Sequence, residues 1–117
     1  MNGTIIPNVD ENVKTVAYST GSTVSQLRGN IFRKDGLVYF SFYANGTFKN
    51  TEDIITITNA SDRPKDNLYF GGAYDEGSYH GGAVFYFDKS SGSLTQSMAN
   101  NANSKLVSVS GVYVPAG

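Results

Sequence analysis

Residues 71–82 read GGAYDEGSYHGG, and they gather the side chains of this sequence best suited to chemistry. Two tyrosines, Tyr74 and Tyr79, two adjacent carboxylates, Asp75 and Glu76, and the only histidine, His80, lie between two glycine pairs. These types suit the recognition of a sugar. A carboxylate accepts charge-assisted hydrogen bonds from neighbouring hydroxyls. A tyrosine ring covers the C–H face of a pyranose while its own hydroxyl finds a polar partner. The glycines let the backbone turn sharply and approach a ligand closely. So much glycine reads as a loop rather than as regular structure, and loops held on a rigid scaffold are where binding residues concentrate. The competing reading is an exposed loop whose tyrosines fold back on the rim of the domain. Residue types alone leave both open.

Catalysis by the same stretch is disfavoured. Ser78, His80 and Asp75 contain the residue types of a hydrolytic triad, but they fall within six residues of one loop and follow no nucleophile-elbow pattern. Asp75 and Glu76 are sequence neighbours, whereas a glycosidase acid and base face each other across about 5–10 Å. A single histidine and no cysteine exclude most zinc sites, and Asp75-Glu76-Gly77 lacks the alternating oxygen ligands of a calcium loop. The chain is therefore expected to be no enzyme and to carry neither a metal nor a cofactor. Asp62-Arg63-Pro64-Lys65-Asp66 reads as a turn in which Arg63 pairs with a nearby carboxylate, or as a contact with a ligand or neighbouring subunit.

The scaffold must be a small one. The chain has 117 residues, the size of one domain. Residues 1–12 are polar and read as an arm or linker remnant, and residues 13–117 form the domain. Aromatic residues at 13% supply buryable area, so the chain reads as globular. A formal net charge of −1 gives no basic surplus for a phosphate backbone or an anionic membrane surface. No N-terminal segment reads as a signal peptide, and no apolar run approaches the roughly 18–20 residues that span a bilayer.

Period-two alternation dominates the domain. VKTVAY (13–18) alternates loosely and STGST follows as a turn. In LRGNIFRKDGLVYFSFYANG (27–46), Asp35-Gly36 marks a hairpin, because both central residues of the favoured turn need positive φ. DIITITN (53–59) and NLYFGG (67–72) read as short strands, AVFYFD (83–88) and SLTQS (93–97) as a hairpin turning through KSSG, and KLVSVSGVYV (105–114) as the last strand. Phe40, Phe42, Phe85 and Phe87 are expected in the core. Tyr39, Tyr43, Tyr86 and Tyr113 are expected on the other faces, as an apolar surface suited to burial against another copy. No segment has helical periodicity. The fold class is all-β: one small antiparallel β-barrel or sandwich, Greek-key or jelly-roll-like, with little or no helix.

The order of these elements resembles the C-terminal receptor-binding heads of bacteriophage tail-fibre and baseplate proteins, above all those of siphophages that infect Gram-positive bacteria. Gly29, Arg33, Gly36, Val38, Phe40, Arg63, Pro64, Gly92, Gly111 and Tyr113 carry the likeness, over about residues 24–114. The resemblance implies a β-barrel head assembled as a homotrimer on the virion tail beside other tail or baseplate proteins. It also implies non-covalent attachment to a host cell-wall polysaccharide or teichoic-acid-type glycan. Under it, Tyr74, Tyr79 and His80 would stack or donate, and Asp75 and Glu76 would accept sugar hydroxyls. Two departures stand out. Family members carry an N-terminal shoulder or stalk, so this chain is expected to be an excised head, and the sequence has no tryptophan for a sugar platform. The alternative is a trimeric cap or adaptor of a tail device that binds no sugar.

Overall fold

The computed structural model describes residues 13–77, 80–99 and 104–117. The arm expected over residues 1–12 lies outside the described residues, as do residues 100–103 between the last two expected strands. The chain order is β1 (Lys14–Thr15), β2 (Tyr18–Thr20), β3 (Val24–Lys34), β4 (Leu37–Phe48), β5 (Asp53–Ile57), a 3-10 turn (Ala60–Asp62), β6 (Leu68–Asp75), β7 (His80–Phe87), β8 (Ser93–Ala99) and β9 (Ser104–Tyr113). All pairings are antiparallel, in one sheet of order β1-β3-β4-β9-β6-β7-β8-β5-β2. The all-β expectation holds, as one curled sheet forming a half-barrel rather than a two-sheet sandwich. Within it β9 lies beside β6 and the β6–β7–β8 meander, giving the order 9-6-7-8 of a Greek key.

The curl follows from the first strands. VKTVAY does not form one strand: β1 pairs with β3 at one edge of the sheet and β2 pairs with β5 at the other. Only Val16 and Ala17 separate them, and three Cα steps reach at most about 11 Å. The two edges must therefore approach within that span. Val16 is buried at the crossing, and the Ala17 carbonyl accepts a hydrogen bond from Thr58 N at 3.0 Å. The turn expected at STGST begins later than its sequence suggests, because Ser19 and Thr20 belong to β2.

Alternation sorts the side chains onto the two faces of the curl. Val38, Phe40, Phe42 and Ala44 of β4, Phe85 and Phe87 of β7, and Val107 and Val109 of β9 fill the concave side. All four phenylalanines expected in the core are there. Phe40 meets Phe70 and Phe87 edge to face, with centroids 5.0 and 5.6 Å apart, an arrangement the ring quadrupoles favour. Tyr39 and Tyr43 point outward, 36% and 41% exposed, and Tyr86 faces outward half-buried. Tyr113 corrects the expectation for that group. It pairs in register with buried Val38, so it shares the concave face, and its hydroxyl donates to the Asp62 carbonyl at 2.5 Å. Burial first, and then the Asp62 carboxylate, push the Tyr113 phenol well above its usual range.

The DRPKD turn closes one end of the curl, and the carboxylate pairing expected of Arg63 falls to Arg33 instead. Arg33, not Arg63, takes the carboxylate, Asp62, at 3.0 Å, and its other nitrogen donates to the main-chain oxygen of Gly117. Arg63 donates only to carbonyls: Ile57 at 3.1 Å, Ser90 at 2.8 Å and Thr58 at 3.3 Å. It thereby ties the end of β5 to the β7–β8 turn. Gly92, in that turn, has φ +75°, and a Cβ there would lie 2.7 Å from Arg63 Nε and 2.8 Å from the Ile57 carbonyl. Gly92→Ala is therefore expected to lose at least about 1–2 kcal/mol, the cost of a left-handed L-residue alone. Urea unfolding should show a lower midpoint with an unchanged slope; an unchanged midpoint would mean that the turn is free to move.

Candidate functional site

The glycine-rich run is not a loop. Gly71, Gly72, Ala73, Tyr74 and Asp75 are the end of β6, and His80, Gly81 and Gly82 begin β7; the two strands pair continuously from Leu68↔Phe87 to Asp75↔His80. Gly72 serves close packing. A Cβ on Gly72 would lie 2.2 Å from the Ser108 carbonyl and 2.6 Å from the Phe85 ring. A bare strand position there admits the ring, and the sequence signal for flexibility is a signal for tight sheet packing.

That pairing decides where the expected site residues point. Tyr74 falls on the concave face with Phe70 and Gly72 and is 4% exposed, in the core cluster. It is corrected from a sugar platform to a core residue, because β6 keeps its alternation through the glycines. Asp75 and His80 face each other across the hairpin, half-buried and exposed respectively. Asp75 Oδ1 accepts from Gly77 N at 2.6 Å, so part of its acceptor capacity holds its own turn. Glu76, half-buried, lies in that turn. Tyr79 and its neighbour Ser78 lie outside the described residues. The hairpin tip thus assembles Asp75, Glu76 and His80 without an aromatic surface from Tyr74.

A different set of residues forms a concavity on the convex side. Across β6, β7, β8 and β5, one outward row runs Tyr69–Tyr86–Thr95–Asp53 in register. The adjacent row places Asp88 beside Ser93, with Asp88 N donating to the Ser93 carbonyl at 3.0 Å and Ser93 in register with Thr56. These rows enclose a cleft of about 330 Å³ whose lining includes Asp53, Tyr86, Asp88, Ser93, Thr95 and Gln96. That volume lies at the lower end of small-ligand sites. Tyr86 supplies a ring, backed by Tyr69 with centroids 5.0 Å apart and an interplanar angle of 46°. Tyr69 is 65% exposed and extends this aromatic surface outward.

A β-bulge builds the acidic wall. The β5–β8 register shifts between Asp53 and Ile55. Ile54, Ile55 and Ile57 are all buried, so Asp53 and Thr56 both face outward although they stand three positions apart, an odd step that strict alternation would send to opposite faces. Bulges re-aim side chains in this way. The adjacent isoleucines of DIITI, a break in strict alternation, were the sequence signal for it. Burial first, and then the neighbouring Glu52 charge, raise the Asp53 pKa, and a hydrogen bond from Ser93 opposes them. Partial burial, then Asp88 and Tyr69, raise that of Tyr86, which keeps its hydroxyl a donor. Asp88 is held rigidly: Oδ1 accepts from Ser90 N and Oδ2 from Ser91 Oγ, both at 3.0 Å. Gln96, fully buried, donates through Nε2 to Asn50 Oδ1 at 3.1 Å, while its Oε1 has no partner among the described residues.

The arrangement can offer a ring face, two carboxylates and several hydroxyls to one ligand. A second, larger groove of about 860 Å³ lies along β1, β3 and β4, where Phe32 stacks on Tyr39 with centroids 5.4 Å apart. No family model matches this chain, and no curated protein matches it.

Folding raises the Asp53 pKa, so the folded chain holds that proton more tightly than the unfolded one. Stability contributed by this group is therefore lost as pH rises from the ordinary value of 3.8 through the raised one. Asp53→Asn is expected to remove that decline. Urea midpoints of both proteins, followed from acid to neutral pH, check it; parallel curves would show that Asp53 is solvated like a free carboxylate.

Proposed function

We propose that this chain is a non-enzymatic saccharide-recognition head of a phage tail device, working as a homotrimer, with its sugar site in the β5–β7–β8 cleft. The observation that carries the reading is the cleft itself. Tyr86 is a ring for the C–H face of a sugar, and Asp53 and Asp88 are acceptors for its hydroxyls, beside Ser93 and Thr95. The ordered resemblance of the strands to phage receptor-binding heads supplies the biological setting: attachment to a cell-wall polysaccharide from the virion tail.

Each site would bind weakly, because hydrogen bonds to a well-hydrated sugar gain little net energy. Three sites per assembly would raise avidity through effective concentration. The outward Tyr39, Tyr43, Val112 and Val114 supply apolar surface for contact between copies. The same surface favours the rival reading, a trimeric cap or adaptor without a sugar ligand.

Two measurements separate these readings. Native mass in solution is expected near three chains, and a clean monomer would remove the trimer. Purified Gram-positive cell-wall polysaccharide, titrated against the protein, is expected to bind about 10-fold more weakly to Tyr86→Ala, the loss of one aromatic contact of about 1.5 kcal/mol. Should the loss follow the pair Asp75→Ala, Tyr79→Ala instead, the site belongs at the hairpin tip. Absence of binding by the parent protein would favour the cap.

A further inference from the structure

The charges around the cleft restrict the kind of sugar it can hold. Two carboxylates, Asp53 and Asp88, line it, and Glu52 adds its charge beside Asp53. Among the described lining residues none is Lys, Arg or His. The nearest cations along the chain are differently placed. Arg63 is engaged by three carbonyls, one of them Ser90 in the adjoining turn. Lys89 follows Asp88, and its backbone N donates to Asn67 Oδ1 at 2.9 Å. A phosphate-bearing glycan would therefore meet like charge at both walls, with no cation among the described lining residues to receive it.

A metal ion does not answer this charge either, since no group of three His, Cys, Asp or Glu among the described residues could hold one. An organic ammonium fits better. The row geometry sets the Tyr86 and Asp53 backbones two strand spacings apart, about 10 Å, with Thr95 between them. A ring lying on Tyr86 can thus extend a substituent toward Asp53. Asp88, two residues from Tyr86 on the same outward side, closes the other end. Both Asp88 oxygens are fixed by the Ser90 and Ser91 bonds, yet each retains a lone pair for a further donor.

We infer that the β5–β7–β8 cleft takes an amine-bearing sugar, its ammonium held by Asp53, its C–H face laid on Tyr86 and its hydroxyls received by Asp88. This rests on the saccharide reading above and names the ligand class within it. It selects against the teichoic-acid-type partner and for a polysaccharide with de-N-acetylated amino sugars.

The test uses the full chain, ¹⁵N-labelled, titrated with methyl glucosaminide, methyl N-acetylglucosaminide and glucose 6-phosphate. The amine sugar is expected to shift the amides of Asp53, Tyr86 and Thr95. It should bind about 10-fold more tightly than the N-acetyl sugar, the worth of one charge-assisted hydrogen bond, while the phosphate sugar leaves these amides unmoved. Asp53→Asn, checked for an unchanged spectrum elsewhere, should abolish the preference, whereas Asp88→Asn should weaken both sugars alike. Asp53→Asn decides the question if the Asp88 turn rearranges. Equal affinity for the N-acetyl sugar at the same amides would overturn the amine assignment and leave the saccharide site intact. Shifts confined to Asp75 and His80 would overturn the cleft as the site. No shift with any of the three sugars would overturn the assignment, and the failure would extend to the saccharide reading if cell-wall polysaccharide also fails to bind.

Discussion

The two-residue step from Thr15 to Tyr18 constrains the whole molecule. A chain that pairs at one edge of a nine-stranded sheet and resumes at the opposite edge after Val16 and Ala17 cannot leave that sheet flat. The curl gives every strand an inside and an outside of different character. Inside, the aromatic residues of β4, β6 and β7 meet edge to face. Outside, hydroxyls, carboxylates and tyrosines stand in rows across the strands. The candidate cleft lies on the outside, so its residues come from β5, β7 and β8 and from the turns joined to them, and all but Gln96, which pairs in register with core Phe85, present outward side chains.

The parts of this fold legible in the sequence were those governed by local rules. Asp35 and Gly36 adopt φ values of 52° and 80°, and the hairpin they announced is present. The alternation of β4 put Val38, Phe40 and Phe42 inside, and KSSG turned β7 into β8. What escaped depended on distant partners. Nothing within VKTVAY says that its halves pair with strands on opposite edges. Nothing within GGAYDEGSYHGG says that Phe85 needs the space above Gly72, so a run that looked mobile is paired strand and Tyr74 is interior. The cleft was the least legible feature, because Tyr86, Thr95 and Asp53 become neighbours only through the register of three strands. The adjacent isoleucines before Thr56 hinted at the bulge without showing what it would aim.

The residues behind the resemblance to phage heads have structural duties here. Val38 and Phe40 are core; Arg33 and Tyr113 converge on Asp62; Arg63 and Gly92 fit against each other under the β7–β8 turn. Such residues define a scaffold and say little about what it binds. The argument for a ligand has to come from the convex rows, where side chains are not needed to hold the sheet.

The bulge at Ile54 makes the divide between scaffold and surface unusually strict. Plain alternation through the same residues, without the bulge, would put Asp53 on the face of Ile55 and Ile57 and swing the acidic wall toward the interior, exchanging hydrocarbon for charge in one move. Replacement of single outward groups at 53, 86, 88 or 95 is open, because each is flanked by inward neighbours that carry the packing. A lineage built on this sheet can retune what its convex cleft presents by point substitution while keeping the same curled sheet.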